Sequence, residues 1–135
     1  MIVLDEQLAD PRIIRDIGQW YKGKVISITN ARPRTVVPDE AIPSLLRQLN
    51  APTFVTINHQ HFWRRIPASS AYCVICLKLT AERSLEVSEA LRRILKLPNW
   101  RTKRGRLGNV ILVSDRPVAY YSEKGRIRLI TKLAN

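Results

Sequence analysis

The sequence predicts an α/β fold: a mostly parallel sheet flanked by helices, continued by a small antiparallel β meander. Three observations predict it. Short apolar or β-branched runs alternate with amphipathic helical patterns through about residue 97, the texture of strand–helix–strand units. Beyond that point helical patterning gives way to three short apolar runs separated by turn formers. The chain has 135 residues, 45% apolar and 25% charged, enough for one core but not comfortably for two. A single domain over 1–135 is therefore expected, with an α/β core over 1–97 and a basic loop and β extension over 98–135.

The elements follow in order. Ile2-Val3-Leu4 reads as a buried strand that meets two acids, Asp5 and Glu6. Asp10-Pro11 supplies an N-cap and a first-position proline for a helix with Ile13, Ile14, Ile17 and Trp20 on one face, broken at Gly23. A second strand is expected over 24–28 and a loop over 29–38, where turn formers and two arginines gather. Asp39 and Glu40 open a helix with Ile42, Leu45, Leu46 and Leu49 on one side. Acids at its start and Arg47 near its end suit the helix dipole, and Pro43 is tolerated only near the first turn.

Residues 53–57 are β-branched and aromatic enough for a third strand ending at Asn58. A helical turn over 61–65, a fourth strand over 71–79 and a helix over 82–97 complete the core. The stretch 101–106 reads as a basic turn. Strands at 110–113, 118–121 and 127–130, divided by Asp115-Arg116-Pro117 and Glu123-Lys124-Gly125, form the meander.

Charge is the main departure from average composition: 23 Lys and Arg against 11 Asp and Glu, a net charge of +12 and a pI near 10.5. Such a surplus favours a polyanionic partner, whether nucleic acid, an acidic protein or an anionic surface. No run approaches the roughly 18 apolar residues of a membrane span, and the start of the chain lacks a basic region followed by a long apolar one, so no membrane partner and a cytoplasmic location are expected. Cys73 and Cys76 have CxxC spacing but lie in an apolar strand that would point them to opposite faces. They read as core residues of a protein in a reducing compartment.

In parallel α/β sheets ligands bind beyond the carboxyl ends of the strands. On this reading Asp5 and Glu6 leave the first strand there, Asn58 leaves the third, and Asp39 and Glu40 open a helix at the same edge. Each acid alone could be an ordinary cap. Together they form a rim that could hold Mg²⁺ or Mn²⁺ through oxygen ligands, and such an ion can activate water and neutralise phosphate charge. His59 and His61, the only histidines, invite general acid–base chemistry, His61 more than His59. Arg32 and Arg34 flank the rim in a loop, and Arg64, Arg65, Arg101, Lys103, Arg104 and Arg106 are candidate phosphate contacts. Trp63, Trp100, Tyr120 and Tyr121 could stack on bases, although core packing explains each as well.

Three of these segments carry a resemblance. Val3-Leu4-Asp5-Glu6-Gln7-Leu8 resembles the opening "LLDENL" of short PIN-like proteins related to VapC toxins, Pro38-Asp39-Glu40-Ala41-Ile42 is similar to their acidic "SDEEI" helix start, and Phe54 to Phe62 is similar to their strand-end "VVTKDRDF". Order and spacing agree over roughly residues 1–66.

The resemblance implies a PIN-like fold and metal-dependent cleavage of RNA, commonly by the toxin of a toxin–antitoxin pair, with an acidic antitoxin and a homodimer as implied partners. It places Asp5 and Asp39 on the family's acidic positions, with Glu6, Glu40 and Asn58 as assisting Mg²⁺ or Mn²⁺ ligands. His61 would act as a ligand or proton relay. The chain departs from the pattern where it matters: Asn58 and His61 stand where the third motif usually supplies acids, with one extra residue between them. An amide oxygen brings no full negative charge, and imidazole suits softer metals than Mg²⁺. A second reading is therefore a PIN-like module that binds RNA or an acidic protein without cutting. A DNA-binding meander is less favoured, since no helix-turn-helix or zinc pattern occurs.

Overall fold

The computed structural model describes residues 1–32, 36–114 and 118–130. Its elements are β1 (Ile2–Leu4), α1 (Pro11–Gly18), β2 (Val25–Ser27), α2 (Ile28–Ala31), α3 (Ile42–Gln48), β3 (Thr53–Thr56), α4 (His59–Phe62), β4 (Cys73–Leu77), α5 (Val87–Leu95), α6 (Lys103–Arg106), β5 (Val110–Val113), β6 (Val118–Tyr121) and β7 (Arg128–Ile130). All seven strands join one sheet in the order β2-β1-β3-β4-β5-β6-β7. The first five run parallel, and β6 and β7 are antiparallel to their neighbours. The expected α/β class with a mostly parallel sheet is what the chain adopts. The C-terminal strands are less separate than expected, because β5 pairs in parallel with β4 and makes the meander a continuation of the sheet.

The strands are buried because both sheet faces are covered. Ile2, Leu4, Val55, Cys73, Ile75 and Ile111 face α1 and α5, while Val3, Phe54, Val74, Cys76 and Val110 face α3 and α4. The period of two along each strand sends Cys73 and Cys76 to opposite faces, and burial pushes both thiols up to about 12. On α1, the Asp10 side chain accepts from the Arg12 backbone and Pro11 opens the first turn. Ile13 and Ile17 face inward, and Trp20 just beyond donates its indole N–H to Ser88 Oγ at 2.9 Å, joining the segment to α5.

Beyond shifts of one or two residues at other element ends, four departures from expectation stand out. The first helix ends at Gly18 rather than near Gly23. Ile28 packs into the core and folds 28–31 into a helical turn where a loop was expected. The segment over 82–97 breaks into a 3-10 turn, Ala81–Glu86, and α5, because Arg83 leaves helical geometry at φ −99°, ψ 15°. The basic stretch after Trp100 contains the helical turn α6, capped by Thr102. The turn expected at 115–117 lies outside the described residues.

The chain runs from β1 to β2 on one side, then back across β1 to β3 on the other. Its connection out of β1 passes through α1 over one face, and its connection out of β3 passes through α4 over the other. The carboxyl ends of β1 and β3 thus flank the point where successive connections diverge, the position at which open α/β sheets form a crevice.

Candidate functional site

Asp5 is the first residue past β1 and is 5% exposed. Its backbone N–H donates to Val55 O at 2.9 Å, continuing the ladder, so its side chain is delivered to the β1–β3 crevice. One carboxylate oxygen accepts from the Thr56 hydroxyl at 2.6 Å and the other from the Glu6 backbone N–H at 2.8 Å. Thr56 Oγ1 in turn accepts from the Asn58 backbone N–H at 2.9 Å. Burial raises the Asp5 pKa. The two hydrogen bonds oppose that rise, while Asp39 and Glu6, both negative, add to it. Asp39 is thus close enough to act on the charge of Asp5, and the charges that act on the Asp5 carboxyl are acidic.

Asp39 stands in a 3-10 turn, Asp39–Ala41, just before α3. Its Oδ2 lies 2.6 Å from Nδ1 of His61 on α4, with both side chains partly open to solvent. The pair borders a cleft of about 490 Å³. Glu40 and Arg65 contribute charge to that cleft, and Pro43, Ile66 and Pro67 form an apolar wall.

The loop that carries Arg65 is held from behind. Tyr121 of β6 donates to Ile66 O at 2.5 Å, receives a backbone hydrogen bond from Arg64, and packs its ring 5.1 Å from that of Trp63. Tyr72 donates to Pro67 O. Arg64 adopts φ 64°, the left-handed region that residues with a side chain rarely occupy.

The expected rim residues therefore divide. Asp5, Asp39 and His61 come from three elements to one edge of the sheet, with Glu40 in the adjoining cleft. Glu6 is exposed and contributes its backbone N–H to Asp5. Asn58 is half-buried and joins the network through its backbone. Arg32, the residue after α2, is exposed on the same edge. Arg34 lies outside the described residues. Among the described residues no three His, Cys, Asp or Glu side chains gather as a metal-ligating group. Asp5 and Asp39 remain as two carboxylates at this edge, and Mg²⁺ can be held by one or two protein carboxylates when water and substrate oxygens complete its octahedron.

The basic tract does not belong to this rim. Residues 101–106 precede β5, at the amino edge of the sheet, where Arg106 donates to Thr53 Oγ1 at the start of β3. Arg106 also corrects its expected role as a phosphate contact. It is 5% exposed, and its guanidinium donates to Trp100 O at 3.0 Å and Arg101 O at 3.3 Å, so it clamps its own loop. The aromatic candidates are similarly absorbed by packing: Trp100 is buried with its ring 5.1 Å from that of Tyr120.

Thr56 is the residue that sequence reading missed. Its signal was available in register, because Leu4 pairs with Val55 and the next step along each strand sets Asp5 beside Thr56. No protein-family model, curated protein or solved structure matches the chain.

Proposed function

We propose that this chain is a PIN-like domain that cleaves RNA at the carboxyl edge of its sheet, using Asp5, Asp39 and His61. The observation that carries the proposal is a buried carboxylate just past β1 that feels the charge of Asp39, at the same sheet edge as the Asp39–His61 pair. Asp5 and Asp39 would hold Mg²⁺ or Mn²⁺, which when bound lowers the pKa of a coordinated water and neutralises charge on the scissile phosphate.

The chain's own residues supply the rest. Thr56 and the Glu6 N–H fix the orientation of Asp5, so little reorganisation is left for the moment of reaction. Asp39 engages Nδ1 of His61, which fixes the ring and leaves Nε2 to exchange a proton with the phosphodiester. Arg65 beside this pair supplies a bidentate donor for a phosphate. The soft-metal character of imidazole favours His61 as proton carrier over ligand.

A second reading has one observation in its favour: Asn58 stands where a further acid would complete the set, and no three-member ligand group forms among the described residues. On that reading the rim binds RNA or an acidic protein without cutting. Cleavage of a labelled RNA with Mg²⁺ or Mn²⁺ separates the two. Under the cleavage reading the native protein cuts, a chelator stops it, and Asp5→Asn and His61→Ala each lose on the order of 100-fold or more in rate. Equal rates for the native and Asp5→Asn proteins would remove the site from the reaction, and absence of cutting by any of them, with binding retained, would establish the binding module.

A further inference from the structure

The charge of +12 is not spread over the molecule. The carboxyl edge of the sheet holds Asp5, Glu6, Asp39, Glu40, Glu82 and Glu86 interleaved with its arginines. At the amino edge, the segments that lead into the parallel strands are residues 18–24, 48–52, 69–72 and 96–109. They contain no Asp or Glu, yet bring Lys22, Lys24, Lys96, Arg101, Lys103 and Arg104 to the surface. Among the described residues, the acids near this edge are Asp16 in the last turn of α1 and Glu123 beyond β6, whose carboxylate is engaged by the Ser70 backbone N–H at 2.7 Å, with Lys124 and Arg126 beside it.

The centre of this surface is built rather than loosely solvated. Arg106 is buried beneath it and pins the carbonyls of Trp100 and Arg101 to Thr53 at the start of β3. The Thr102 hydroxyl accepts from Gly105 N at 3.1 Å, and the Asn109 amide donates to Gly105 O and Arg106 O. A Cβ at Gly105 would stand 2.5 Å from Asn99 O, so the turn is closed tightly on itself. Arg101, Lys103 and Arg104 are thereby presented outward from a fixed backbone. Lys103 and Arg106 also act on the Met1 amino group at the head of β1, which places the tract against the neighbouring strand starts.

We propose that the amino edge of the sheet is a nucleic-acid-binding surface, separate from the acidic rim, which takes the phosphodiester backbone through Arg101, Lys103, Arg104 and the lysines beside them. A polyanion with regularly spaced charges matches a surface of one sign at which like-charged side chains otherwise repel each other, and its counterions are released on binding. Strands of three to five residues separate the two edges by roughly 10–17 Å at about 3.3 Å per residue, so one RNA can lie on both. The surface stands independently of whether the rim cuts.

The test is fluorescence anisotropy of the full chain with a labelled 20-nucleotide RNA, repeated with DNA of the same sequence and with anionic vesicles, at several salt concentrations. The Arg101→Gln/Lys103→Gln/Arg104→Gln protein should bind RNA at least 10-fold more weakly, and its log–log salt slope should fall in magnitude by about 2, near 0.7 for each lost phosphate contact on a single strand. These substitutions are at exposed positions, and an unchanged thermal transition will show that the variant is folded. An unchanged affinity and slope in the triple variant would overturn the proposal, as would vesicle binding that equals RNA binding and is lost in the same variant. Weaker DNA binding would assign the surface to RNA, and equal binding to the backbone that the two share.

Discussion

Asp5 carries a cost that its position explains. Burial makes the folded protein hold the Asp5 proton to a higher pH than the unfolded chain does. A group whose folded pKa is raised contributes stability that is fully present below its ordinary value of 3.8 and lost as pH rises through the folded value. Ionised Asp5 is therefore a burden at neutral pH. Asp5→Asn should unfold at a higher urea concentration than the native protein at pH 7, with the advantage shrinking as the pH falls toward 4, a pattern that urea midpoints across that range will read. Arg106 works in the opposite sense. Replacing it with methionine keeps the bulk but leaves the buried Trp100 carbonyl, the half-buried Arg101 carbonyl and Thr53 without their charged donor, which should cost about 2–3 kcal/mol in urea unfolding. The thiols of Cys73 and Cys76, pushed up to about 12, should resist iodoacetamide in the native protein and react promptly once it is unfolded.

Among the elements, short buried strands were the most legible. Ile2–Leu4 appeared with its predicted limits, because an apolar triplet bounded by acids has few other places to go in a covered parallel sheet. The helix expected over 82–97 was less so, since an apolar face alone does not reveal that Arg83 turns aside to pair with Glu86 at 2.7 Å. Asp39 and His61 were each visible as candidates, but their contact spans 22 positions and depends on how α3 and α4 pack, which no local pattern encodes. Composition likewise could not say that Arg106 points inward while Arg101, Lys103 and Arg104 point out. A substitution in α6 exposes the difference between propensity and packing. Alanine ordinarily improves a helix by about 1 kcal/mol over glycine, yet Gly105→Ala should lower stability, by about 1–2 kcal/mol net, because its Cβ would press on the Asn99 carbonyl. A urea midpoint that rises would show that the 99–105 turn opens easily.

At the scale of the whole molecule, one sheet separates two chemistries. Its carboxyl edge collects buried and partly buried acids with a histidine, while its amino edge collects exposed bases over a clamped loop. The strongly basic composition was legible from the start, but its division between two edges follows from strand direction, which sequence gives only once the topology is known. Among the described residues no helix is long and apolar enough to cross a membrane. The measurement that reaches the centre of this account is single-turnover cleavage and equilibrium binding of one labelled RNA by the Asp5→Asn protein and by the Arg101→Gln/Lys103→Gln/Arg104→Gln protein, side by side. The account predicts that the first binds without cutting and that the second, at saturating protein concentration, cuts at the native rate while binding weakly. Cutting by Asp5→Asn at the native rate would contradict it.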